Sequence, residues 1–285
     1  MKRMLMCVAA TLLTFTVATP THALTTPALP AGDAFWTVSS NSSRVVKINP
    51  LTGQTLKSLR IMKHRERIIG AAWDPYRQLF VFIDGWDSQA ETVQKQGAVT
   101  YSVKTKKWKR YPINFGVNNE FDVRDVAITA NGIYWFAVSP WDGEPQLNRA
   151  MGFPNFADRK KLPRRFDMSS TWDIGLVDSG IGILNSLAFP QDSSLLVGLD
   201  YDYALTTFND SGATLDSDAT YNGATSEYAE ASHFDFASDD SFWVYGQYGV
   251  ELSWGIYGAP EENQFVRNPS CVQSCSDIFF IQRGR

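Results

Sequence analysis

Tryptophan–aspartate pairs recur along the chain, three of them in segments that follow strand-like runs or connect them, and an aromatic ring beside a carboxylate suits sugar recognition. The ring packs on the apolar face of a pyranose, and the carboxylate accepts hydrogen bonds from its hydroxyl groups. A tyrosine and two further acids follow other strand-like segments in a similar way. The sequence therefore predicts a ligand site made of these residues: Trp86, Asp87, Trp141, Asp142, Trp172, Asp173, Asp200, Asp202 and Tyr248.

Each pair also has a structural interpretation. A tryptophan at a strand end can pack between neighbouring sheets, and an aspartate after it can cap a turn through the backbone. The carboxylates also suit calcium, which binds several oxygen ligands, and the segment around Asp200 and Asp202 is the best calcium candidate. We favour an acidic, solvated turn for that segment. We expect no cofactor and no other metal site, and we expect His233 to be a core or inter-blade residue.

A degenerate repeat of short strands carries these residues. Each copy has an apolar strand, a turn rich in Pro, Asp, Asn or Gly, and a second strand of β-branched or aromatic residues. Four copies align on Ala72, Ala127, Ala188 and Asp235, at intervals of 55, 61 and 47 residues. A strand repeat of this length, without amphipathic helices, is typical of a β-propeller in which each repeat forms one four-stranded blade.

The chain begins in the middle of a blade. Residues 34–38, 44–48 and 55–59 are predicted to be its second, third and fourth strands, so the innermost strand is missing. Residues 277–281 form an unassigned strand near the other terminus, and we expect this strand to close the ring by pairing with residues 34–38.

The predicted fold is an all-β propeller of about five four-stranded blades, or six if the region from residue 261 onward contains another. A β-sandwich is the alternative, because it also has short strands and frequent turns. A sandwich, however, predicts no pattern of strands that repeats at the length of a blade.

The blade model places the candidate site on one face. In an up-and-down blade, the loop joining the second and third strands emerges on the same face as the connection between blades. We place Trp172 and Asp173 in such a connection, and the other candidates follow second strands. All nine residues should then share one face.

The first predicted blade also resembles a known group of proteins. Phe35-Trp36-Thr37-Val38, followed by the segment from Arg44 to Gly53 with its Asn-Pro-Leu-Thr-Gly turn, is similar to blades of the bacterial YVTN-repeat and virginiamycin B lyase-like propellers. The resemblance covers about one blade and implies a propeller fold. It implies no catalytic residue, because no active-site motif of that group matches a position here.

The N-terminus predicts export. Lys2 and Arg3 precede an apolar run too short to cross a bilayer, and Thr21-His22-Ala23 provides small residues for cleavage, so residues 1–23 read as a signal peptide. Residues 24–33 are then a short extension, and residues 34–285 form a single propeller domain without a further membrane span. The expected location is periplasmic or extracellular. Cys271 and Cys275 are the remaining cysteines, and an oxidising compartment favours a disulfide between them.

Charge is distributed unevenly along the chain. Residues 24–170 contain 21 Lys and Arg against 13 Asp and Glu, whereas residues 171–285 contain 3 against 17. The basic runs around residues 104–110 and 159–165 can attract an acidic partner, but we interpret them as solvated edge strands that resist aggregation. The acidic overall charge and the absence of a nucleic-acid motif argue against nucleic-acid binding.

These observations support an exported propeller that binds a carbohydrate or another small ligand. A polysaccharide hydrolase or lyase using two acids on the same face is the alternative enzyme. A scaffold for a protein partner is the third hypothesis. The sequence assigns no catalytic residue and does not set the oligomeric state.

Overall fold

The structure is a computed structural model. It describes residues 29–39, 44–50, 52–61, 68–84, 96–115, 121–140, 149–170, 172–175, 184–190, 196–200, 204–208, 214–220, 231–246, 252–256, 259–266 and 275–282. Apart from two short 3-10 turns, the regular elements of these residues are strands. No helix among them is long and apolar enough to cross a membrane.

The described strands form five sheets, each ordered as a blade. The first sheet contains β21 (Cys275–Ile281), β1 (Ala34–Ser39), β2 (Arg44–Ile48) and β3 (Thr55–Arg60). The second contains β4 (Ile68–Asp74), β5 (Leu79–Asp84), β6 (Gly97–Ser102), β7 (Lys107–Asn114) and β11 (Phe166–Asp167). The third contains β8 (Phe121–Ile128), β9 (Tyr134–Pro140), β10 (Arg149–Gly152) and β12 (Trp172–Gly175). The fourth contains β13 (Leu184–Ala188), β14 (Leu196–Asp200), β15 (Ala204–Phe208) and β16 (Thr214–Thr220). The fifth contains β17 (Ala231–Phe236), β18 (Ser241–Gly246), β19 (Leu252–Ile256) and β20 (Ala259–Val266).

The all-β propeller expected from the repeat is confirmed, and the β-sandwich alternative is not supported. The expected closure is also present, because β21 pairs antiparallel with β1 and places Phe279 opposite Trp36. Phe35 and Phe280 pack edge-to-face beside Trp243 of the fifth sheet. The chain ends are thus joined in the core of the first sheet.

Two faces follow from the strand directions. We call the end at which the first strands β4, β8, β13 and β17 begin the upper face, and the end with the turns between first and second strands the lower face. Second strands end opposite the starts of first strands, as Asp84 lies opposite Ile68 and Pro140 opposite Phe121. The segments that follow these second strands therefore leave from the upper face.

Adjacent sheets pack through aromatic and branched side chains. This is possible because alternate residues of a strand point to the same face of the sheet. Between the second and third sheets, Tyr111, Tyr134, Phe136, Phe153 and Phe166 belong to one buried cluster. Trp36, Phe80 and Phe279 form the corresponding contact between the first and second sheets.

The connection between β10 and β12, residues 153–170, is longer than a turn and reaches the second sheet. We call it the strap. Its residues Phe166 and Asp167 form β11, which pairs parallel with Ile113 and Asn114 of β7. Arg77 holds the strap from below: its guanidinium donates to the Gly132 and Phe156 carbonyls and pairs with buried Asp74 at 2.8 Å.

Candidate functional site

All five innermost strands carry a β-bulge at the same position. The strand register skips one residue in each of β4, β8, β13, β17 and β21, and the skipped residues are Ile69, Arg124, Asn185, Ser232 and Ser276. A bulge re-aims the side chain that follows it. The five residues after the bulges are Gly70, Asp125, Ser186, His233 and Asp277, and we call them the axial ring.

The axial ring is joined by hydrogen bonds from one sheet to the next. A carboxylate oxygen of Asp277 accepts the Ala71 N–H of the second sheet. Asp125 Oδ2 accepts the Ser186 hydroxyl at 2.6 Å and the Leu187 N–H at 2.9 Å. Ser186 Oγ in turn accepts the Phe234 N–H at 3.2 Å. These bonds hold both carboxyl groups in fixed orientations.

Gly70 is the one ring residue without a side chain, and its neighbours explain why. A Cβ at this position would lie 2.8 Å from Asp125 Cα and 2.9 Å from the Arg124 carbonyl oxygen. Both are backbone atoms, so a side chain could not be accommodated by a rotamer change. Glycine therefore lets the second and third sheets approach closely at the axis.

His233 faces the two carboxyl groups. Its Nδ1 lies 3.3 Å from Asp277 Oδ1 and 4.0 Å from Asp125 Oδ2, and one ligand atom from each of the three residues falls within 4.8 Å of the others. All three residues are buried, and Nδ1 has no hydrogen-bond partner in the structure. A buried polar atom without a partner requires an explanation, and an ion between the three groups is one.

Burial controls the protonation of this group. It raises the pKa of Asp125 to about 7, opposed by the hydrogen bonds from Ser186, Leu187 and Val126. Burial, and then the nearby Asp125 carboxylate, raise the pKa of Asp277 well above its usual range. Burial and then the positive charge of Arg124 lower the pKa of His233 to about 3, so its imidazole is neutral at neutral pH. A neutral imidazole and two carboxylates are ligands that divalent metals bind.

A small cavity of about 50 Å³ lies beside the ring on its lower side. Its walls include Asp125, Phe234, Asp235 and Gln282. This volume has room for a few ordered water molecules.

Most of the nine ligand-site residues predicted from the sequence cannot be compared with the axial ring. Six of the nine lie outside the described residues: Trp86, Asp87, Trp141, Asp142, Asp202 and Tyr248. Asp200 ends β14 opposite Leu184, at the upper face where it was expected. Cys271 also lies outside the described residues, so the disulfide with Cys275 stays a prediction.

The placement of Trp172 and Asp173 in a connection between blades was wrong. They begin β12, where Trp172 lies opposite Gly152 and Asp173 opposite Met151. Because Gly152 itself lies opposite Trp135, near the start of β9, Trp172 is at the lower end of the third sheet. The error arose because the strap replaces the short turn that normally precedes a fourth strand.

The axial ring was missed, although the sequence contained a signal for it. Ala72, Ala127, Ala188 and Asp235 were correctly aligned, and the ring residues lie two positions before each of them. His233 does lie between sheets, as expected, but its two carboxylate neighbours come from strands 108 and 44 residues away.

No protein-family model and no curated protein sequence matches the chain. Its fold is similar to a solved structure described as a "putative gluconolactonase", with a TM-score of 0.51 and 14% sequence identity. The similarity covers 87% of this chain and 85% of that one. At this identity the comparison supports the propeller fold, which the YVTN-like first blade had also implied.

Proposed function

We propose that this protein is a propeller hydrolase that binds a divalent cation on its axis and opens a small cyclic ester, such as a sugar lactone. The observation that supports this proposal most strongly is the buried Nδ1 of His233, which has no hydrogen-bond partner and faces the carboxyl groups of Asp125 and Asp277. The structural neighbour is named for lactone hydrolysis, which supports the choice of substrate class.

The three side chains fit a cation chemically. Two ionised carboxylates this close together repel each other in a buried site, and a divalent charge offsets that repulsion. The hydrogen bonds from Ser186 and Ala71 orient the two carboxylates, as outer partners of metal ligands do. A bound cation supplies polarisation of an ester carbonyl and a lowered pKa for a coordinated water.

We further propose that the sugar portion of the substrate binds on the upper face. Support comes from the strand ends: β5, β9, β14 and β18 all end there, and the aromatic and acidic segments after residues 84, 140, 200 and 246 follow them. Joint Trp86→Ala and Trp141→Ala substitution should raise KM for a sugar lactone while leaving metal affinity unchanged. An unchanged KM would remove these residues from the site.

A lactonase assay tests the enzymatic proposal. Purified protein is stripped with a chelator, reloaded separately with Ca²⁺, Mg²⁺, Mn²⁺ or Zn²⁺, and assayed with glucono-δ-lactone by acid release. We expect turnover with at least one ion and none in the stripped protein. Asp277→Asn should abolish turnover, because the amide keeps a hydrogen-bond acceptor for Ala71 but loses the charge.

Asp235→Asn is the matched control. Like Asp277, Asp235 lies on an innermost strand, β17, and accepts an inter-sheet N–H, from Phe280 at 2.7 Å, yet it is not one of the three grouped residues. This variant should retain most of its turnover. Equal losses in both variants would mean that the carboxyl groups serve only to join the sheets.

A further inference from the structure

Two basic runs that are separated in sequence meet at the outer edge of the second sheet. They include nine exposed cations, which we call the basic surface: Lys104, Lys106, Lys107, Lys109, Arg159, Lys160, Lys161, Arg164 and Arg165. The first four flank or begin β7, and the other five belong to the strap. The parallel pairing of Phe166 with Ile113 places the end of the strap beside β7, the strand that the first run begins.

Two successive side-chain contacts link Lys109 of the first run to the residue that follows the second run. The Lys109 ammonium lies 4.4 Å from the centre of the Tyr111 ring, and that ring lies 6.1 Å from Phe166, which directly follows Arg165. The acids within the two runs and next to them are few. Asp167 pairs with Arg165 at 2.9 Å, and Asp158 is the other one. The basic surface therefore carries a substantial net positive charge.

Protection of an edge strand explains only part of these charges. Lysines on an open edge discourage sheet-to-sheet aggregation, which accounts for Lys107 and Lys109, because β11 covers only Ile113 and Asn114 of β7. Five of the nine cations lie on the strap, between its 3-10 turn at Pro154–Phe156 and β11, and not on an edge strand. The position of the charges instead suits recognition of an anion.

The basic surface also offers apolar contacts to a ligand. Trp108, between Lys107 and Lys109, is 43% exposed. An open groove of about 450 Å³ in the strap is lined by Pro163, Arg164, Arg165 and Asp167, with the largely buried rings of Phe153 and Phe156 behind them. The exposed Trp108 ring beside cations matches a sugar that carries carboxylates, since the ring packs on the pyranose and the cations pair with its acid groups.

We propose that the basic surface binds a linear acidic polysaccharide. Its elongated shape favours a polymer over a single small anion, because Lys107 lies six residues, or about 20 Å, along β7 from Ile113, which pairs with Phe166 beside Arg165. The site is separate from the axial ring and does not depend on the proposed lactonase activity. It would attach the enzyme to a carboxylated polymer while the axis remains free.

The test uses polygalacturonate as the probe, uncharged dextran as the neutral polymer, and the whole protein. We expect binding to polygalacturonate that weakens as salt rises, and no binding to dextran. The double variant Lys160→Glu and Arg164→Glu should weaken it about tenfold or more, since two favourable charges become repulsive. Trp108→Ala should weaken binding while leaving its salt dependence unchanged.

Lys57→Glu with Arg60→Glu is the matched control. Both residues are exposed on β3, the outer strand of the first sheet, so the change in net charge is identical. This variant should bind within about twofold of the unchanged protein. Equal weakening in both double variants would overturn the proposal, as would binding only to duplex DNA or to phosphatidylglycerol vesicles, or no binding to polygalacturonate. Circular dichroism of each variant shows that it is folded.

Discussion

At the residue scale, the axial ring combines two requirements that a propeller axis imposes. Backbone N–H groups of the innermost strands need partners, and Asp125, Ser186 and Asp277 accept them across sheet boundaries. The same carboxyl groups face His233, whose Nδ1 is left without a partner. The axial ring thus joins neighbouring sheets and also provides the types of side chain that bind metals.

Gly70→Ala should destabilise the protein by about 1 to 3 kcal/mol, because its Cβ would overlap backbone atoms of Arg124 and Asp125. Gly97→Ala is the control for a side-chain overlap, since its Cβ would meet only the partly exposed guanidinium end of Arg110, and its cost is limited to loosening the Arg110–Asp84 pair. Urea denaturation measures both. Equal effects would show that close approach at the axis is not required.

The ring also predicts how stability depends on pH in the metal-free protein. The raised pKa values of Asp125 and Asp277 let the folded chain keep protons on these carboxyl groups at pH values where the unfolded chain has lost them, so both groups make the free energy of unfolding fall as pH rises above about 4. The lowered pKa of His233 acts in the opposite direction, up to about pH 6.5. Because two carboxyl groups act against one imidazole, the free energy of unfolding should fall as pH rises.

Single substitutions separate these contributions. Asp277→Asn removes one of the two carboxyl groups and should make the free energy of unfolding vary less with pH. His233→Gln removes the opposing imidazole and should make it vary more steeply. Arg124 and Asp235 also face the group and stay unchanged in both variants. Urea denaturation with a chelator present measures all three proteins, and identical slopes would contradict the assigned protonation.

At the element scale, the strap explains why the third sheet differs from its neighbours. Arg77 donates to the carbonyls of Gly132 and Phe156 and pairs with Asp74, which also accepts the Tyr134 hydroxyl at 2.7 Å. One side chain therefore connects the β4–β5 turn, the β8–β9 turn and the strap. Because Arg77 and Asp74 are almost fully buried, each depends on the other for its charge partner.

Arg77→Met should cost about 3 to 5 kcal/mol of stability, because it leaves the Asp74 carboxylate buried and unpaired. Adding Asp74→Asn should recover part of that loss. Arg165→Met is the control, since the Arg165–Asp167 pair is exposed and should contribute about 1 kcal/mol or less. Similar losses in the two single variants would contradict the difference in burial.

The elements themselves were largely predictable from the sequence. Strands such as β2 and β6 have short apolar runs bounded by turn residues, and the closing strand was found because the first blade lacked one. The strap was not predictable, because β11 has two residues and its parallel pairing with β7 leaves no periodic pattern. The ring was missed because a bulge adds one residue per sheet, which changes spacing but not composition.

At the scale of the whole molecule, ring closure by β21 is the main long-range constraint. Ile278, Phe279 and Phe280 are buried between the first sheet and its neighbours, and Asp277 belongs to the axial ring. Deletion of residues 275–285 should abolish cooperative unfolding, whereas deletion of residues 283–285 should not. Calorimetry measures both, and a cooperative transition in the longer deletion would contradict closure.

Export remains a proposal that follows from residues 1–23. If it is correct, mass spectrometry of the protein isolated from outside the cytoplasm should show an N-terminus at Leu24. An intact Met1 in that fraction would contradict cleavage.

Metal stoichiometry is the direct measure of a cation site on the propeller axis. Native mass spectrometry of the chelator-treated protein, titrated with divalent cations, should show one ion per chain. The ion should be lost in His233→Phe and in Asp277→Asn and retained in Asp235→Asn, with all three variants folded. No bound ion, or an ion that survives both ring substitutions, would contradict a metal site at Asp125, His233 and Asp277.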